Sequence, residues 1–106
     1  MEVNIGSLPW ERTTVSFESV SLIIETRYNS RNDNWYLDVF NILGEPILRG
    51  IQFAIDTDLT DIYRTELRGL GSFYVLDKRI DMPYEKITRD NVGLTERYGL
   101  FFYPSE

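Results

Sequence analysis

The sequence predicts an all-β fold, a small β-sandwich or barrel of six to seven mostly antiparallel strands with one short helix. Three observations support this class. Aromatic residues make up 14% of the chain, and together with the many isoleucines and valines they favour strands. Apolar and polar residues alternate in several short segments, as they do in half-buried strands. Turn-forming clusters separate these segments, as in sandwiches and barrels.

The 106 residues are expected to form a single β domain, residues 1–106, because this length matches the usual size of one domain. Hydrophobic residues make up 42% of the chain, which is enough for a core and argues against disorder. No internal repeat, low-complexity tract or shift in composition marks a domain boundary.

The first predicted strands lie in the N-terminal third of the chain. Val3 and Ile5 alternate with polar neighbours, as in a short strand. Residues 13–17 (TTVSF) predict a second strand and residues 20–28 a third, with a tight turn at residues 18–19 between them.

The longest strand signal covers residues 34–55, which predict a β-hairpin after the polar turn cluster NSRND. Side chains alternate between its two faces, with Trp35, Leu37 and Val39 on one face and Tyr36, Asp38, Phe40 and Ile42 on the other. Gly44 is expected to supply a positive φ before Pro46, and Gly50 indicates either a bulge or a close neighbour. Both faces are largely apolar, so the rest of the chain or a partner must cover them.

The C-terminal half contains the predicted helix and the last strands. Residues 56–64 (DTDLTDIYR) predict a short helix with Asp58 as its N-cap. Residues 72–77 and 96–103 predict strands. The polar connection between them, residues 78–93, is so long that it is either a functional loop or an unrecognised element.

The charge and composition limit the classes of partner. The chain carries a formal net charge of −6, whereas nucleic acids and anionic membranes attract clustered Lys and Arg, so neither is an expected partner. No apolar run approaches the roughly 20 residues that span a membrane. The N-terminus lacks the basic and apolar regions of a signal peptide, and the absence of cysteine fits a reducing compartment.

Candidate metal and catalytic motifs fail on their spacing. Asp56, Asp58 and Asp61 form an acidic cluster. An EF-hand-type loop starting at Asp56 would need glycine and glutamate where Asp61 and Leu67 stand, so helix capping is the preferred interpretation. The segment RGLG at residues 68–71 lacks the Lys-Ser/Thr of a Walker loop.

Enzymatic chemistry also lacks its usual residues. The chain has no histidine, the commonest general base and metal ligand, and spacing singles out no carboxylate pair for glycoside hydrolysis. The sequence therefore predicts no enzyme, no cofactor and no metal site.

The surplus of apolar and aromatic residues predicts an interaction surface instead. Exposed apolar patches usually mark interaction sites, and strand edges offer unpaired backbone groups to a neighbour. The predicted partner-binding residues are Val3, Ile5, Trp10, Tyr84, Tyr98, Phe101 and Tyr103. The alternative is a small β-domain binding module that holds a carbohydrate or peptide in an aromatic groove.

A series of short motifs runs over nearly the whole chain. In order they are VNI at 3–5, TVSF at 14–17, residues 22–28, WYLDV at 35–39, GEPIL at 44–48, GI at 50–51, DL at 58–59 with Tyr63, Gly71, VLD at 75–77, TRDNVG at 88–93 and Leu100. Their order resembles the phage baseplate plug family, small proteins of contractile-tail baseplates such as those of cyanophages. The chain departs from the family pattern in a longer insert around residues 78–86.

The resemblance implies a non-enzymatic structural component of a phage tail baseplate. Such a protein would plug or brace the centre of the baseplate through contacts to tube, hub, spike or wedge proteins. The resemblance also implies a place in the virion tail, with assembly in the host cytoplasm.

Overall fold

Six antiparallel strands form two sheets in a computed structural model of the chain, which describes residues 2–6, 8–17, 20–59, 71–79, 81–83 and 85–104. The larger sheet has the order β1-β2-β3-β4, and the smaller one pairs β5 with β6. The strands are β1 (Trp10–Phe17), β2 (Val20–Asn29), β3 (Asn34–Phe40), β4 (Pro46–Gln52), β5 (Gly71–Asp77) and β6 (Tyr98–Pro104). The prediction of an all-β fold is confirmed. No helix, and so no membrane-spanning helix, occurs in the described part of the chain.

The larger sheet is a meander in which each strand pairs with the next along the chain. Its register places Ile24 opposite Val39 and Leu37 opposite Ile51, so that apolar residues of neighbouring strands share the inner face. Trp35, Leu37 and Val39 are all buried there. The alternation in the predicted hairpin therefore identified the buried face correctly.

One hydrophobic core joins the two sheets. The smaller sheet contributes its inward side chains, Phe73, Val75, Tyr98, Leu100 and Phe102. Trp35 lies among aromatic neighbours, with ring centroids 5.6 Å from Tyr28 and 6.4 Å from Phe53. Its indole N–H donates to the carbonyl oxygen of Thr88 at 2.9 Å, so the polar atom of this buried side chain is satisfied.

The β3–β4 connection has the turn and the bulge that its glycines predict. Gly44 has a φ of +86° and Gly50 a φ of +71°, values that favour glycine. Leu37 pairs with Ile51 but Val39 pairs with Leu48. The extra residue on β4 leaves Gly50 within a bulge across from β3.

The N-terminal segment lies along β6 without forming the predicted strand. Glu2 forms an isolated bridge with Phe101, and the Val3 N–H donates to the Leu100 carbonyl at 2.7 Å. The side chains of Val3 and Ile5 are buried in the core. Their alternation reflects this burial, while the pairing is limited to a single bridge.

The start of the predicted helix 56–64 is not helical. Ile55 bridges to Val75 and Asp58 to Tyr74, so this segment covers the open edge of β5. The Asp56 N–H donates to the Val75 carbonyl and the Leu59 N–H to the Phe73 carbonyl, so this segment is bonded to β5 and does not begin a helix. Residues 60–64 lie outside the described residues.

Candidate interaction surfaces

The outer face of the β5–β6 pair carries a group of neighbouring aromatic side chains that point away from the core. Strand alternation turns Tyr74, Leu76, Phe101 and Tyr103 outward, a group called here the aromatic face. Tyr103 is 44% exposed, and the other three are partly exposed. The Tyr103 ring centroid lies 5.6 Å from that of Tyr74 and 6.4 Å from that of Phe101.

The aromatic face rests on a rigid support. Directly beneath it, the rings of Phe73 and Phe102 pack with their centroids 4.9 Å apart, and both residues are fully buried. The edge of β5 is covered by residues 55–59 and the edge of β6 by Glu2 and Val3. The aromatic side chains are therefore held in place before any partner binds.

The seven predicted partner-binding residues lie in different environments. Val3, Ile5 and Tyr98 are buried in the core of this chain, and the Tyr98 hydroxyl donates to the Glu85 carbonyl. Phe101 and Tyr103 come together on the aromatic face. Trp10 is 60% exposed but belongs to the larger sheet, and Tyr84 lies outside the described residues.

Sequence reasoning missed Tyr74 and Leu76 as members of the aromatic face. The alternation in SFYVLD contained the signal, because Tyr74 and Leu76 have opposite parity to the buried Phe73 and Val75. Only the register with β6 places Tyr74 opposite Phe101 and thus joins the residues into one surface.

The outer face of the larger sheet is covered by the chain's own arginines. Arg12 donates to Glu25 at 2.8 Å through Nε, and its guanidinium lies 5.2 Å from the ring centroid of Phe40. Arg49 lies 6.0 Å from the same centroid, and Phe40 is buried as a result. This second face of the predicted hairpin therefore needs no partner to cover Phe40.

Asp38 is the buried centre of this charged face. Its carboxylate accepts Arg27 Nε at 3.0 Å and Nη2 at 3.1 Å, and the Gly50 backbone N–H at 2.7 Å. Burial acts to raise the pKa of Asp38, but the hydrogen bonds from Arg27 and Gly50 outweigh it and hold the pKa below its ordinary value. The carboxylate is therefore kept ionised, and each of its two oxygens accepts at least one hydrogen bond.

A buried arginine, Arg97, anchors the long connection between β5 and β6. Arg97 donates to both carboxylate oxygens of Asp77, at 3.0 and 2.9 Å, and to the Pro83 carbonyl at 2.9 Å. The hydrogen bonds from Arg97 lower the pKa of Asp77. Further along, Ile87 and Val92 are buried in the core. The connection predicted as a long polar loop is irregular. Its residues 81–83, 85 and 86 are exposed, whereas Ile87 and residues 91–93 are packed against the domain.

Acidic clusters and surface depressions are the places where the described residues could hold a metal ion or a small ligand. No group of three or more acidic side chains is placed to hold a metal ion in the described ranges, and Asp61 of the predicted acidic cluster lies outside them. The depressions lined in part by residues 32–34, 50–52 and 93–96 contain neither tyrosine nor tryptophan in their linings. The aromatic face is a surface of strands and differs from the aromatic groove that the carbohydrate alternative requires.

Comparison with known protein families places the chain in a described family. A family model described as cyanophage baseplate Pam3 plug gp18 matches residues 1–105. No curated protein matches the chain.

Proposed function

The chain belongs to the cyanophage baseplate plug family, and we propose that it braces the centre of the baseplate by docking its aromatic face against another tail protein. The family resemblance seen in the motif order is confirmed by the match over residues 1–105. The chain is therefore a baseplate plug protein of the virion tail. Its family implies a structural, non-enzymatic role, with other tail proteins as partners.

The exposed aromatic face is the observation that carries this proposal. Single exposed apolar side chains are common on protein surfaces, but neighbouring ones form a patch of the kind that marks interaction sites. Tyrosine suits an interface because its ring can be buried while its hydroxyl finds a polar partner. Tyr74 and Tyr103 supply such rings, and Phe101 adds apolar area between strands that are already ordered.

The rigid support of the aromatic face favours tight docking. Ordering side chains on binding costs free energy, so a surface that is ordered beforehand binds more tightly for the same area. The net charge of −6 favours a neutral or basic surface on the partner. Tube, hub, spike and wedge proteins are the proposed candidates, and Trp10 is a candidate for a second contact.

Reconstitution of baseplates that lack the plug tests this proposal. Tyr103→Ser and Phe101→Ser should each lower plug occupancy, measured by cryo-imaging of assembled tails, while their folded structure is retained. Leu94→Ser is the matched control, since Leu94 is 43% exposed, close to the 44% of Tyr103, and lies outside the aromatic face. In the assembled particle the plug should bury at least about 1,000 Å² in total with its partners, as specific interfaces do.

Two results would contradict the proposal. One is normal occupancy of folded Tyr103→Ser and Phe101→Ser plugs. The other is an assembled structure in which the aromatic face stays exposed to solvent. A saturable carbohydrate or peptide ligand bound at the aromatic face would support the binding-module alternative instead.

A further inference from the structure

Three arginines and two aromatic residues share the outer face of the larger sheet. The register places Trp10 opposite Arg27 and Arg27 opposite Tyr36. Arg12 has the same parity as Trp10 in β1 and therefore lies on the same face. Arg49 reaches this face from β4. The five residues Trp10, Arg12, Arg27, Tyr36 and Arg49 are called here the arginine face.

The arginine face presents positive charge to solvent. The Arg12 side chain is 52% exposed, whereas that of its partner Glu25 is 10% exposed. The Arg27 side chain is 38% exposed, whereas that of its partner Asp38 is 1% exposed. Both arginines bind their carboxylates through Nε and Nη2, which leaves Nη1 for another acceptor. A partner therefore meets guanidinium groups here, although the chain as a whole carries a net charge of −6.

Arg49 adds a positive charge that no carboxylate matches at contact distance. Its guanidinium lies 6.0 Å from the ring centroid of Phe40, and that of Arg12 lies 5.2 Å from the same centroid. Glu25 pairs with Arg12, whereas the exposed Arg49 side chain forms no ion pair or hydrogen bond with the described residues. Two cations that share one ring repel each other, so an anion bound beside Arg49 would relieve this repulsion.

The two acidic side chains nearest to Arg49 along the hairpin are already engaged. Asp38 attracts Arg49 through space, but both oxygens of its carboxylate accept hydrogen bonds from Arg27. The Glu45 carboxylate, in the adjoining turn, accepts from the Asn41 side chain at 2.9 Å. The guanidinium N–H groups of Arg49 therefore remain available to a partner.

We propose that the arginine face binds a carboxylate-bearing segment of another tail protein. This contact lies on the other sheet from the aromatic face and goes beyond the proposed function. A guanidinium is planar and can donate two parallel hydrogen bonds to one carboxylate, which gives the contact geometric specificity. Trp10, which is 60% exposed, and Tyr36 flank Arg27 and supply apolar area. Tryptophan, tyrosine and arginine are the residue types that most often dominate the binding energy of interfaces.

The charge distribution favours an acidic protein segment over a nucleic acid. Phosphates also accept from guanidinium groups, but a nucleic acid carries a charge on every phosphate and extends well beyond three arginines. The net charge of −6 would repel such a polyanion elsewhere on the chain. A segment with a few carboxylates meets only the local positive charge of the arginine face.

Reversal of one charge provides the test. Arg49→Glu should weaken binding of the plug to purified plug-free baseplates about tenfold or more at low salt, because it sets a carboxylate against those of the partner. Arg49→Gln, which removes the charge without reversing it, should weaken binding less. High salt should narrow both differences, since exposed charges are screened.

The matched control is Arg79→Glu, which makes the same change in net charge at an exposed arginine outside both faces. Its binding should stay within about threefold of the parent. All three variants should melt within about four degrees of the parent, because exposed substitutions change stability little. Unchanged binding of a folded Arg49→Glu plug would overturn the proposal, as would an equal loss in Arg79→Glu.

A photo-crosslinking residue at position 52 identifies the occupant in assembled tails. Gln52 is exposed and lies opposite Tyr36. The expected adduct joins this position to a segment of a different tail protein that contains Asp or Glu, and changing that acidic residue to Arg should restore binding of Arg49→Glu. An adduct to DNA or to a second plug copy would overturn the proposal.

The two docking surfaces are tested independently of each other. If Arg49→Glu binds normally while Tyr103→Ser fails to dock, the aromatic face keeps its role and only the inference on the arginine face is lost. If Tyr103→Ser docks normally while Arg49→Glu fails, the proposed function is refuted and the arginine face stands.

Discussion

The Asp38 carboxylate accepts the backbone N–H of Gly50 at 2.7 Å across the β3–β4 bulge. A bulge removes one residue from the regular ladder and leaves its backbone groups without strand partners. Asp38 supplies the missing acceptor and pairs with Arg27 through the same carboxylate. The bulge and the ion pair are therefore one structural unit, and loss of the carboxylate affects both.

Asp38→Asn is expected to flatten the loss of stability in acid. Although burial acts to raise it, the pKa of Asp38 lies below its ordinary value of 3.8 in the folded protein. Such a group stabilises the fold above its unfolded pKa, and this contribution is lost as the pH falls through the folded pKa. Thermal melts of the parent should therefore be level above about pH 5 and fall steeply at lower pH. Asp38→Asn should show a shallower fall.

The control for this acid effect is Asp90→Asn, whose side chain is 92% exposed. The melting temperature of Asp90→Asn should fall with decreasing pH as steeply as that of the parent. The pKa of Asp77 is also lowered by its hydrogen bonds from Arg97. Both variants should therefore still lose some thermal stability in acid. The prediction would be contradicted if the melting temperatures of the parent and Asp38→Asn fell equally steeply in acid.

The two tryptophans should differ sharply in their importance for stability. Trp35 is 1% exposed, so Trp35→Ala should lower the free energy of unfolding by about 3–5 kcal/mol, as other large-to-small core changes do. Trp10 is 60% exposed, and Trp10→Ala should stay within about 0.5 kcal/mol of the parent. Urea denaturation followed by far-UV circular dichroism measures both. A Trp35→Ala protein that melts within two degrees of the parent would refute this.

Gly44 should be replaceable by asparagine more easily than by alanine. Its φ is +86°, and a Cβ placed there would meet no atom within 4 Å, so only the backbone conformation opposes a side chain. Gly44→Ala should cost about 1–2 kcal/mol, the usual penalty of this conformation for an L-residue. Gly44→Asn should cost less, because asparagine tolerates the left-handed region. If denaturant melts showed that Gly44→Ala and Gly44→Asn lose the same free energy of unfolding, backbone strain would not be the cause of the loss.

Arg97→Lys should loosen the connection between β5 and β6. Lysine cannot reproduce the two parallel hydrogen bonds to Asp77 together with the bond to the Pro83 carbonyl. Hydrogen exchange in residues 85–97 should become faster than in the parent. Arg31→Lys, at an exposed turn position, is the control and should leave exchange unchanged. Unaltered protection of residues 85–97 in Arg97→Lys would exclude this anchoring role.

Alternation along single strands predicted the fold well, because one buried face is a local property of a strand. Trp35, Leu37 and Val39 are the clearest example. The buried face of the closing strand was harder to predict. Tyr98 and Phe101 lie on opposite faces of this strand, and because both are aromatic, the sequence does not indicate which of them faces the core. Pairing with β5 buries Tyr98 and turns Phe101 outward.

Contacts between distant segments were not predictable from local pattern. The acidic start of the predicted helix resembles an N-cap, but residues 55–59 find hydrogen-bond partners on β5. Likewise, Arg27 and Asp38 each look like an isolated charge within a strand. Their ion pair exists only because β2 and β3 adopt a register that brings them together.

The bridge between Glu2 and Phe101 also sets an order of events during synthesis. The Val3 N–H meets the Leu100 carbonyl there, and Lys78 holds Glu2 through an ion pair at 2.6 Å. Non-local contacts of this kind form late, because a long loop must close first. The strands of the β1–β4 meander can pair as they leave the ribosome. Val3 cannot form its hydrogen bond to Leu100 until β6 has emerged. A nascent-chain force measurement should therefore register final closure only once Leu100 and Phe101 have cleared the exit tunnel.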